Sequence, residues 1–220
     1  NVNSFYDLLK KSKKDKSVMI YASSAATYGS LPSPQTVGSE NPENPYGYSK
    51  LLMDKIANRY INENPNSILV GLRFFNVYGP REFYKESTSS MVVQLGHQIL
   101  SGKAPRLFNG SDKILRDFIF IEDVIQANIK SCQPVKSGIY NIGTGKPRSF
   151  QEIADILQKE LGTNFPTEYF ENPYSGYQTH TQANIISTKK NLGFNANFSL
   201  EKGINSYIAE IKRLYFEEII

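Results

Sequence analysis

Short apolar runs alternate with segments of helical periodicity along the chain. Residues 18–22 and 68–75 are apolar runs of strand length. Between them, apolar residues recur at the helical spacing 52, 53, 56, 57 and 60. Asn44 is a suitable helix cap and Pro45 suits a first helical position, so we predict that a helix begins there.

The same alternation continues toward the carboxyl terminus, while residues 81–90 are polar and irregular. We predict strands at 105–108, 118–121, 139–142 and 167–170, and helices at 90–101, 122–132, 149–161 and 199–216. Strands separated by helices favour parallel pairing, so the predicted fold class is α/β.

The overall composition excludes several classes of protein. Of 220 residues, 40% are hydrophobic and 21% charged, as in soluble globular proteins, and the net charge of +4 is too small to indicate nucleic-acid binding. No apolar run approaches the roughly 18 residues of a membrane span. A single cysteine and two histidines favour a reducing, cytoplasmic setting and predict no metal site. We interpret Cys132, at a predicted helix end, as a buried packing residue.

Candidate chemistry starts with Tyr46 and Lys50. Residues four apart share one face of a helix, so these two side chains point the same way and Tyr48 does not. A free phenol has a pKa of about 10, and a neighbouring ammonium lowers it toward the range in which a general base works. The alternative is an ordinary surface pair, because this spacing is common by chance.

Two predicted strands end in polar side chains. Ser24 ends the first run and Asn76 follows the second. Ligands of parallel sheets bind beyond the carboxyl ends of the strands, so we expect both residues to face one crevice with the start of the helix.

Five blocks in this order and spacing resemble the extended short-chain dehydrogenase/reductase family. They are residues 21–29, 44–50, 73–81, 116–124 and 140–145. Within that family, residues 79–87, 107–111 and 177–183 are similar to the ADP-glyceromanno-heptose 6-epimerase subfamily. The resemblance implies the carboxy-terminal part of a Rossmann-like parallel sheet, with a smaller α/β substrate-binding domain.

The resemblance also implies an activity. Such epimerases invert C6 of an ADP-heptose by oxidation and re-reduction for lipopolysaccharide core biosynthesis. The implied cofactor is NADP, with NAD as the alternative, and the implied partner is a nucleotide-diphosphate sugar. Neither nucleic acid nor a membrane is expected, and the implied assembly is a homo-oligomer, a pentamer in the subfamily.

Catalytic roles follow from the same resemblance. Tyr46 and Lys85 match two acid/base residues on opposite sides of the sugar, and Ser24 matches a hydroxyl that binds the reacting oxygen. Lys50 matches the residue that holds the nicotinamide ribose, and Val77 lies at the cofactor together with Tyr46. From chemistry alone, Lys85 reads as an ordinary loop lysine.

Nine residues match substrate-contacting positions. They are Asn76, Ser87, Gln94, Phe108, Asn109, Gly110, Ser111, Arg116 and Tyr177. A guanidinium suits a diphosphate, although Arg116 could instead form a surface salt bridge to Asp117 or Asp112. Without the resemblance, Tyr177 reads as a packing tyrosine.

The chain departs from the subfamily in three ways. Glu86 stands where the subfamily has glycine, and Gln94 aligns with a histidine. No Gly-x-x-Gly-x-x-Gly turn occurs, so we expect the amino-terminal region that anchors the cofactor to be missing. We assign 1–80 and 115–146 to the remaining cofactor domain, and 81–114 and 147–220 to the substrate domain.

Three alternatives stay open. One is a nucleotide-sugar 4-epimerase, which needs no equivalent of Lys85. A second is a dehydratase, which usually carries acidic and basic partners where this chain has residues 25–28. The third is a fragment that is inactive without its cofactor-binding turn.

Overall fold

The computed structural model describes residues 2–133, 136–173 and 178–217. Its α-helices are α1 Val2–Asp15, α2 Pro45–Glu63, α3 Met91–Leu100, α4 Ile121–Ser131, α5 Phe150–Leu161, α6 Ile186–Leu192 and α7 Leu200–Glu217. Its strands are β1 Met19–Ser24, β2 Leu69–Phe74, β3 Asn76–Tyr78, β4 Arg106–Phe108, β5 Leu115–Arg116, β6 Phe118–Phe120, β7 Gly138–Ile142, β8 Arg148–Ser149 and β9 Glu168–Phe170. Two 3-10 helices cover Ala25–Tyr28 and Phe83–Thr88.

The central sheet is parallel, with strand order β1-β2-β7. Ser24 lies opposite Phe74, and Phe74 lies opposite Ile142, so the three strands end at the same level. Because β2 is buried on both faces, its residues are almost all apolar, which is the pattern of a central parallel strand. The α/β class with a Rossmann-like parallel sheet is confirmed.

The strand that begins as β2 changes partner between two neighbouring residues. The Phe75 amide donates to the Ile142 carbonyl of β7, at 3.1 Å. The Asn76 amide donates to the Asp117 carbonyl at 3.0 Å, and β3 then pairs in parallel with β6. The two partners diverge at this point, and the carboxyl edge of the sheet opens there.

Among the described residues, three large apolar clusters form most of the core, and a small fourth one joins Tyr28, Phe75 and Ala183. One lies between α1, α2 and the central sheet, and includes Phe5, Leu9, Met53 and Ala57. A second joins β2 and β7 to α4 and α6. The third packs α3, α5 and α7 against Tyr78 and Phe120. The sheet edge that ends in Ser24 is therefore carried by a rigid, close-packed body.

Three sequence interpretations were wrong. Residues 81–90 are not wholly irregular, since they contain the second 3-10 helix. Helix α6 was not predicted, because it has only seven residues and its first apolar residue, Ile186, is 73% exposed and gives no buried face. Cys132 is exposed, because it lies just past the last residue of α4 rather than on its buried face.

Candidate functional site

Helix α2 presents Tyr46 in its first turn, and the local sequence explains where that helix begins. The Asn44 side chain caps it by accepting from the Gly47 amide at 2.8 Å. Pro45 occupies the first turn, where its missing amide costs nothing. A Cβ at Gly47 would lie 2.4 Å from the Ala26 carbonyl oxygen, so only glycine allows α2 to approach the first 3-10 helix this closely.

Tyr46 and Lys50 share one face of α2. The Lys50 ammonium lies 5.8 Å from the centroid of the Tyr46 ring. The same ammonium donates to the Ala22 carbonyl of β1, at 2.8 Å. Tyr46 is 54% exposed, so its phenol is accessible to a ligand while Lys50 ties the helix to the sheet.

Ser24 lies at the end of β1 and caps the first 3-10 helix. Its hydroxyl oxygen accepts from the Ala26 amide at 3.1 Å, and its carbonyl accepts from the Thr27 hydroxyl at 2.9 Å. The Ser24 proton remains available to donate, as binding a substrate oxygen would require. The half-buried side chain is held in place by these contacts.

Asn76 and Val77 lie on β3, just beyond the point where the strand changes partner. Asn76 is exposed, whereas Val77 is half-buried and packs against the cluster that joins β2 to α4. Asn76 is therefore accessible on β3, and its sharing of one crevice with Ser24 stays a prediction.

Lys85 and Ser87 are exposed on the second 3-10 helix. Gln94, on α3, donates to the Ser89 carbonyl at 2.7 Å and to the Ser87 carbonyl at 3.3 Å. Where the subfamily carries a histidine, this side chain therefore braces the segment that bears Lys85.

A cavity of about 490 Å³ brings together four predicted substrate residues, Ser87, Gln94, Phe108 and Ser111. Aromatic rings form much of its wall, since Phe150 and Phe170 also line it. The rings of Phe108 and Phe170 meet edge to face, with centroids 5.0 Å apart. Such walls with a few polar groups are typical of small-molecule sites.

Ser111 is the buried polar group of this cavity. It is 1% exposed, and its hydroxyl has no hydrogen-bond partner within the described ranges. An unpaired buried hydroxyl is costly unless a ligand or water completes it. Asn109 and Gly110 lie on the exposed turn before it, where Asn109 donates to Glu171 at 2.6 Å.

Arg116 is buried and does not lie at the surface. Its guanidinium donates to the carbonyl oxygens of Leu115 and Gln178, and it lies 5.8 Å from the centroid of the Phe150 ring. It therefore lies next to the cavity wall. Tyr177 falls outside the described residues.

Asp117 holds the turn at residues 143–145 through its backbone amides. The Asp117 carboxylate accepts from the Thr144 and Gly145 amides at 2.7 and 2.9 Å, and from the Ala183 amide at 2.9 Å. Burial raises the pKa of Asp117, and these hydrogen bonds oppose that rise. The turn amides are thus engaged by a side chain of the same chain.

A buried polar network beneath the site was missed by sequence reasoning. Asp54 of α2 accepts from Tyr21 at 2.8 Å, from Ser23 at 2.9 Å and from Arg73 at 2.8 Å. Arg73 also donates to Glu40 at 2.6 Å. Burial, followed by the charge of Asp54, raises the pKa of the Tyr21 hydroxyl, which stays a donor.

Two signals in the sequence pointed to this network. Asp54 lies four residues after Lys50 and so continues the face of α2 that carries Tyr46. Arg73 interrupts an apolar strand, and a charge in such a position requires a partner.

Within residues 2–133, 136–173 and 178–217, no group of three or more His, Cys, Asp or Glu side chains is arranged to hold a metal ion. In the same ranges, no helix is long and apolar enough to cross a membrane.

The donors around Tyr46 suit one end of a dinucleotide cofactor. A phenol, an ammonium and a hydroxyl lie at the edge formed by β1 and α2, and such groups bind ribose hydroxyls and a carbonyl oxygen. The amides of Thr144 and Gly145 are occupied by Asp117, so they do not offer a second anchor for the diphosphate.

Comparison with known proteins gives a consistent picture. The profile of the NAD dependent epimerase/dehydratase family matches residues 1–143. The structure is similar to ADP-L-glycero-D-manno-heptose-6-epimerase of Helicobacter pylori, with 45% identity, a TM-score of 0.88, and coverage of 96% of this chain and 65% of that one. This chain thus spans 65% of the length of the Helicobacter protein.

Two more distant structures share the fold. UDP-N-acetylglucosamine 4-epimerase of Methanobrevibacter ruminantium, in complex with UDP-N-acetylmuramic acid, matches with 25% identity and a TM-score of 0.85, over 100% of this chain and 69% of that one. UDP-glucuronic acid 4-epimerase of Bacillus cereus, in complex with UDP-glucuronic acid and NAD, matches with 26% identity and a TM-score of 0.83, over 97% and 68%. With its Rossmann-like sheet, its Tyr46–Lys50 face and a family match over residues 1–143, the chain belongs to the NAD dependent epimerase/dehydratase family.

Proposed function

We propose that this chain carries the proton-transfer and sugar-binding parts of an epimerase that inverts C6 of ADP-glycero-manno-heptose. The observation that carries the proposal is the 45% identity to the Helicobacter heptose epimerase over 96% of this chain. Lipopolysaccharide core biosynthesis in the cytoplasm, and a homo-oligomeric assembly, follow from the same similarity and stay predictions.

The proposed chemistry needs two proton-transfer groups. Tyr46 and Lys85 are both exposed, and each would move the proton of the C6 oxygen in one of the two orientations of the sugar. Ser24 would donate to that oxygen, and Lys50 would bind the nicotinamide ribose, with Val77 beside the ring. A bound nicotinamide, of NADP or of NAD, supplies the hydride acceptor and donor.

The remaining predicted residues would hold the nucleotide-sugar. Ser87, Gln94, Phe108 and Ser111 share the aromatic-walled cavity, and Asn76 lies at the sheet edge. Asn109, Gly110, Arg116 and Tyr177 complete the proposed substrate set. We propose a cofactor domain at 1–80 and 115–146 and a substrate domain at 81–114 and 147–220. The cluster of α3, α5 and α7 also contains Tyr78 and Phe120, so the two proposed parts share packed apolar side chains.

The test is conversion of ADP-D-glycero-manno-heptose by the full encoded protein, followed by NMR of the sugar. Tyr46→Phe and Lys85→Ala should each lower kcat by about 10²-fold or more. Tyr48→Phe and Lys103→Ala are the matched controls, since Tyr48 is 54% exposed like Tyr46 but lies on another face of α2, and Lys103 is exposed beyond α3. Unchanged rates in both active-site variants would contradict the proposal.

A UDP-hexose 4-epimerase is the second candidate. The two 4-epimerase structures that match at 25% and 26% identity favour it. The same assay with UDP-glucose separates the two, because a 4-epimerase would convert UDP-glucose and would tolerate Lys85→Ala.

A further inference from the structure

One buried carboxylate holds both ends of the segment that carries Lys85. Glu82 is 5% exposed. Its carboxylate accepts from the Gly79 amide at 3.1 Å, before the segment, and from the Ser90 amide at 2.7 Å and the Ser90 hydroxyl at 2.8 Å, after it. Hydrogen bonds to a charged acceptor are about twice as strong as neutral ones. The Glu82 carboxylate therefore joins the two ends of the segment firmly.

The closed segment has an unusual backbone. Arg81 and Glu86 adopt positive φ values of 74° and 50°, although neither is glycine. Such conformations are strained for residues that carry a side chain, and they persist only where the surroundings enforce them. The carboxylate of Glu82 lies between these two residues in the chain and ties the flanks together.

Within the segment, two side-chain hydroxyls satisfy backbone carbonyls. The Thr88 hydroxyl donates to the Lys85 carbonyl at 2.7 Å, and the Ser89 hydroxyl donates to the Glu86 carbonyl at 2.7 Å. Lys85 and Ser87 are exposed. A rigid backbone that presents exposed polar side chains is the arrangement expected of a preorganised site.

Glu82 also links the segment to α7. Tyr207 of α7 is fully buried, and its hydroxyl has no hydrogen-bond partner among the described residues. Burial, followed by the charge of Glu82, raises the pKa of Tyr207. The charge of Glu82 is therefore felt by the Tyr207 hydroxyl of α7.

We propose that Glu82 is a positioning residue for Lys85: its buried carboxylate joins Gly79 to Ser90 and so holds the backbone from which the Lys85 amine projects. The inference deepens the proposed function, because it rests on Lys85 as the second proton-transfer residue. The effect of Glu82 on the backbone of this segment can be measured without an activity assay.

Hydrogen exchange tests the backbone directly. In Glu82→Gln, an NH₂ group replaces one carboxylate oxygen, so a donor faces the backbone amide donor that this oxygen accepted from. We therefore expect hydrogen exchange of residues 79–90 to accelerate about tenfold, while exchange of α5 stays unchanged. Ser90→Ala, which removes one donor and keeps the carboxylate, should give a smaller acceleration in the same residues. Glu86→Gln is the control, because it makes the same change on an exposed side chain of this segment and should leave exchange unaltered.

Epimerase rates test the link to Lys85. We expect Glu82→Gln to lower kcat about tenfold in the full encoded protein, and to have no further effect once Lys85→Ala is present. Equal effects in both backgrounds, or faster exchange spread evenly over the molecule, would overturn the proposal. If the unaltered protein lacked heptose epimerase activity, the proposed function would fail, and exchange confined to 79–90 would still support Glu82 as the closure of the segment.

Discussion

Glu86 has a backbone conformation that is unfavourable for a residue with a side chain. Its φ of 50° and ψ of −125° correspond to the first central position of a type II′ turn, which glycine dominates. The turn therefore favours glycine at this position, which is the residue that the heptose 6-epimerase subfamily has there. The substitution by Glu changes the strain of the turn as well as its charge.

We expect Glu86→Gly to stabilise the protein by about 1 kcal/mol, since relief of strain outweighs the added freedom of the unfolded chain. Urea unfolding measures the difference. Glu86→Ala is the control, because it removes the charge but keeps the Cβ atom, and it should show no such gain. A gain of the same size from alanine would mean that charge, and not backbone strain, is responsible.

Arg148 forms a surface cluster with two carboxylates. It donates to Glu152 at 2.7 Å and to Glu201 at 2.6 Å. The hydrogen bond from Arg148 lowers the pKa of Glu201 to about 2. A depressed carboxyl pKa contributes stability above its unfolded value and loses it as the pH falls through its folded value.

The stability difference between the wild type and Arg148→Gln should therefore be present at pH 7 and disappear as the pH falls from 4.5 toward 2. Because the side chain of Glu201 is 52% exposed, we expect the difference to be under about 1 kcal/mol at pH 7. Urea unfolding of both proteins at pH 7, 4 and 2.5 checks this. A difference that persists unchanged at pH 2.5 would assign it to packing of the guanidinium.

At the scale of elements, the site depends on how the start of α2 meets the end of β1. Lys50 and Asp54 anchor the helix to the sheet, and Gly47 lets it approach the Ser24–Tyr28 turn. Packing at this distance leaves no room for a methyl group.

Gly47→Ala should lower stability by about 1–3 kcal/mol despite the better helix propensity of alanine, because the new Cβ would lie 2.4 Å from a backbone oxygen that cannot rotate away. Thermal unfolding and epimerase assays should show losses together, since Tyr46 moves with the helix. Asn58→Ala, at an exposed position of the same helix, should be neutral or stabilising. A stable Gly47→Ala protein with full activity would contradict this account of the helix start.

At the scale of the whole molecule, the described residues hold Tyr46, Lys85 and the aromatic-walled cavity, and Asp117 engages the amides of Thr144 and Gly145. The sequence of 220 residues contains no Gly-x-x-Gly-x-x-Gly turn. Dinucleotide cofactors derive much of their binding from such a turn at a helix start.

We therefore expect the isolated 220-residue chain to bind NADP weakly or not at all, and to be inactive by itself. Calorimetric titration with NADP and with NAD measures this, and the full encoded protein serves as the comparison. Tight, stoichiometric binding to the isolated chain would contradict the expectation.

The sequence by itself determined the fold class and most element boundaries, and it placed Ser24 at a strand end and Tyr46 and Lys50 on one helix face. These depend on local periodicity, capping and four-residue spacing, which neighbouring residues dictate. It did not indicate helix α6 or the exposure of Cys132, because short elements and helix ends have weak periodic signals.

Only the tertiary structure decided the rest. The closure by Glu82, the Asp54–Arg73 pair and the cavity that unites Ser87 with Ser111 join residues that are distant in sequence or arranged without period. Burial and hydrogen-bond partners of this kind arise from packing between elements. The charge of Arg73 in an apolar strand signals that a partner is needed, but it does not identify that partner. The shared helix face of Tyr46 and Lys50 could thus be predicted from their spacing, whereas the hydrogen bonds of Glu82 to Gly79 and Ser90 became visible only in three dimensions.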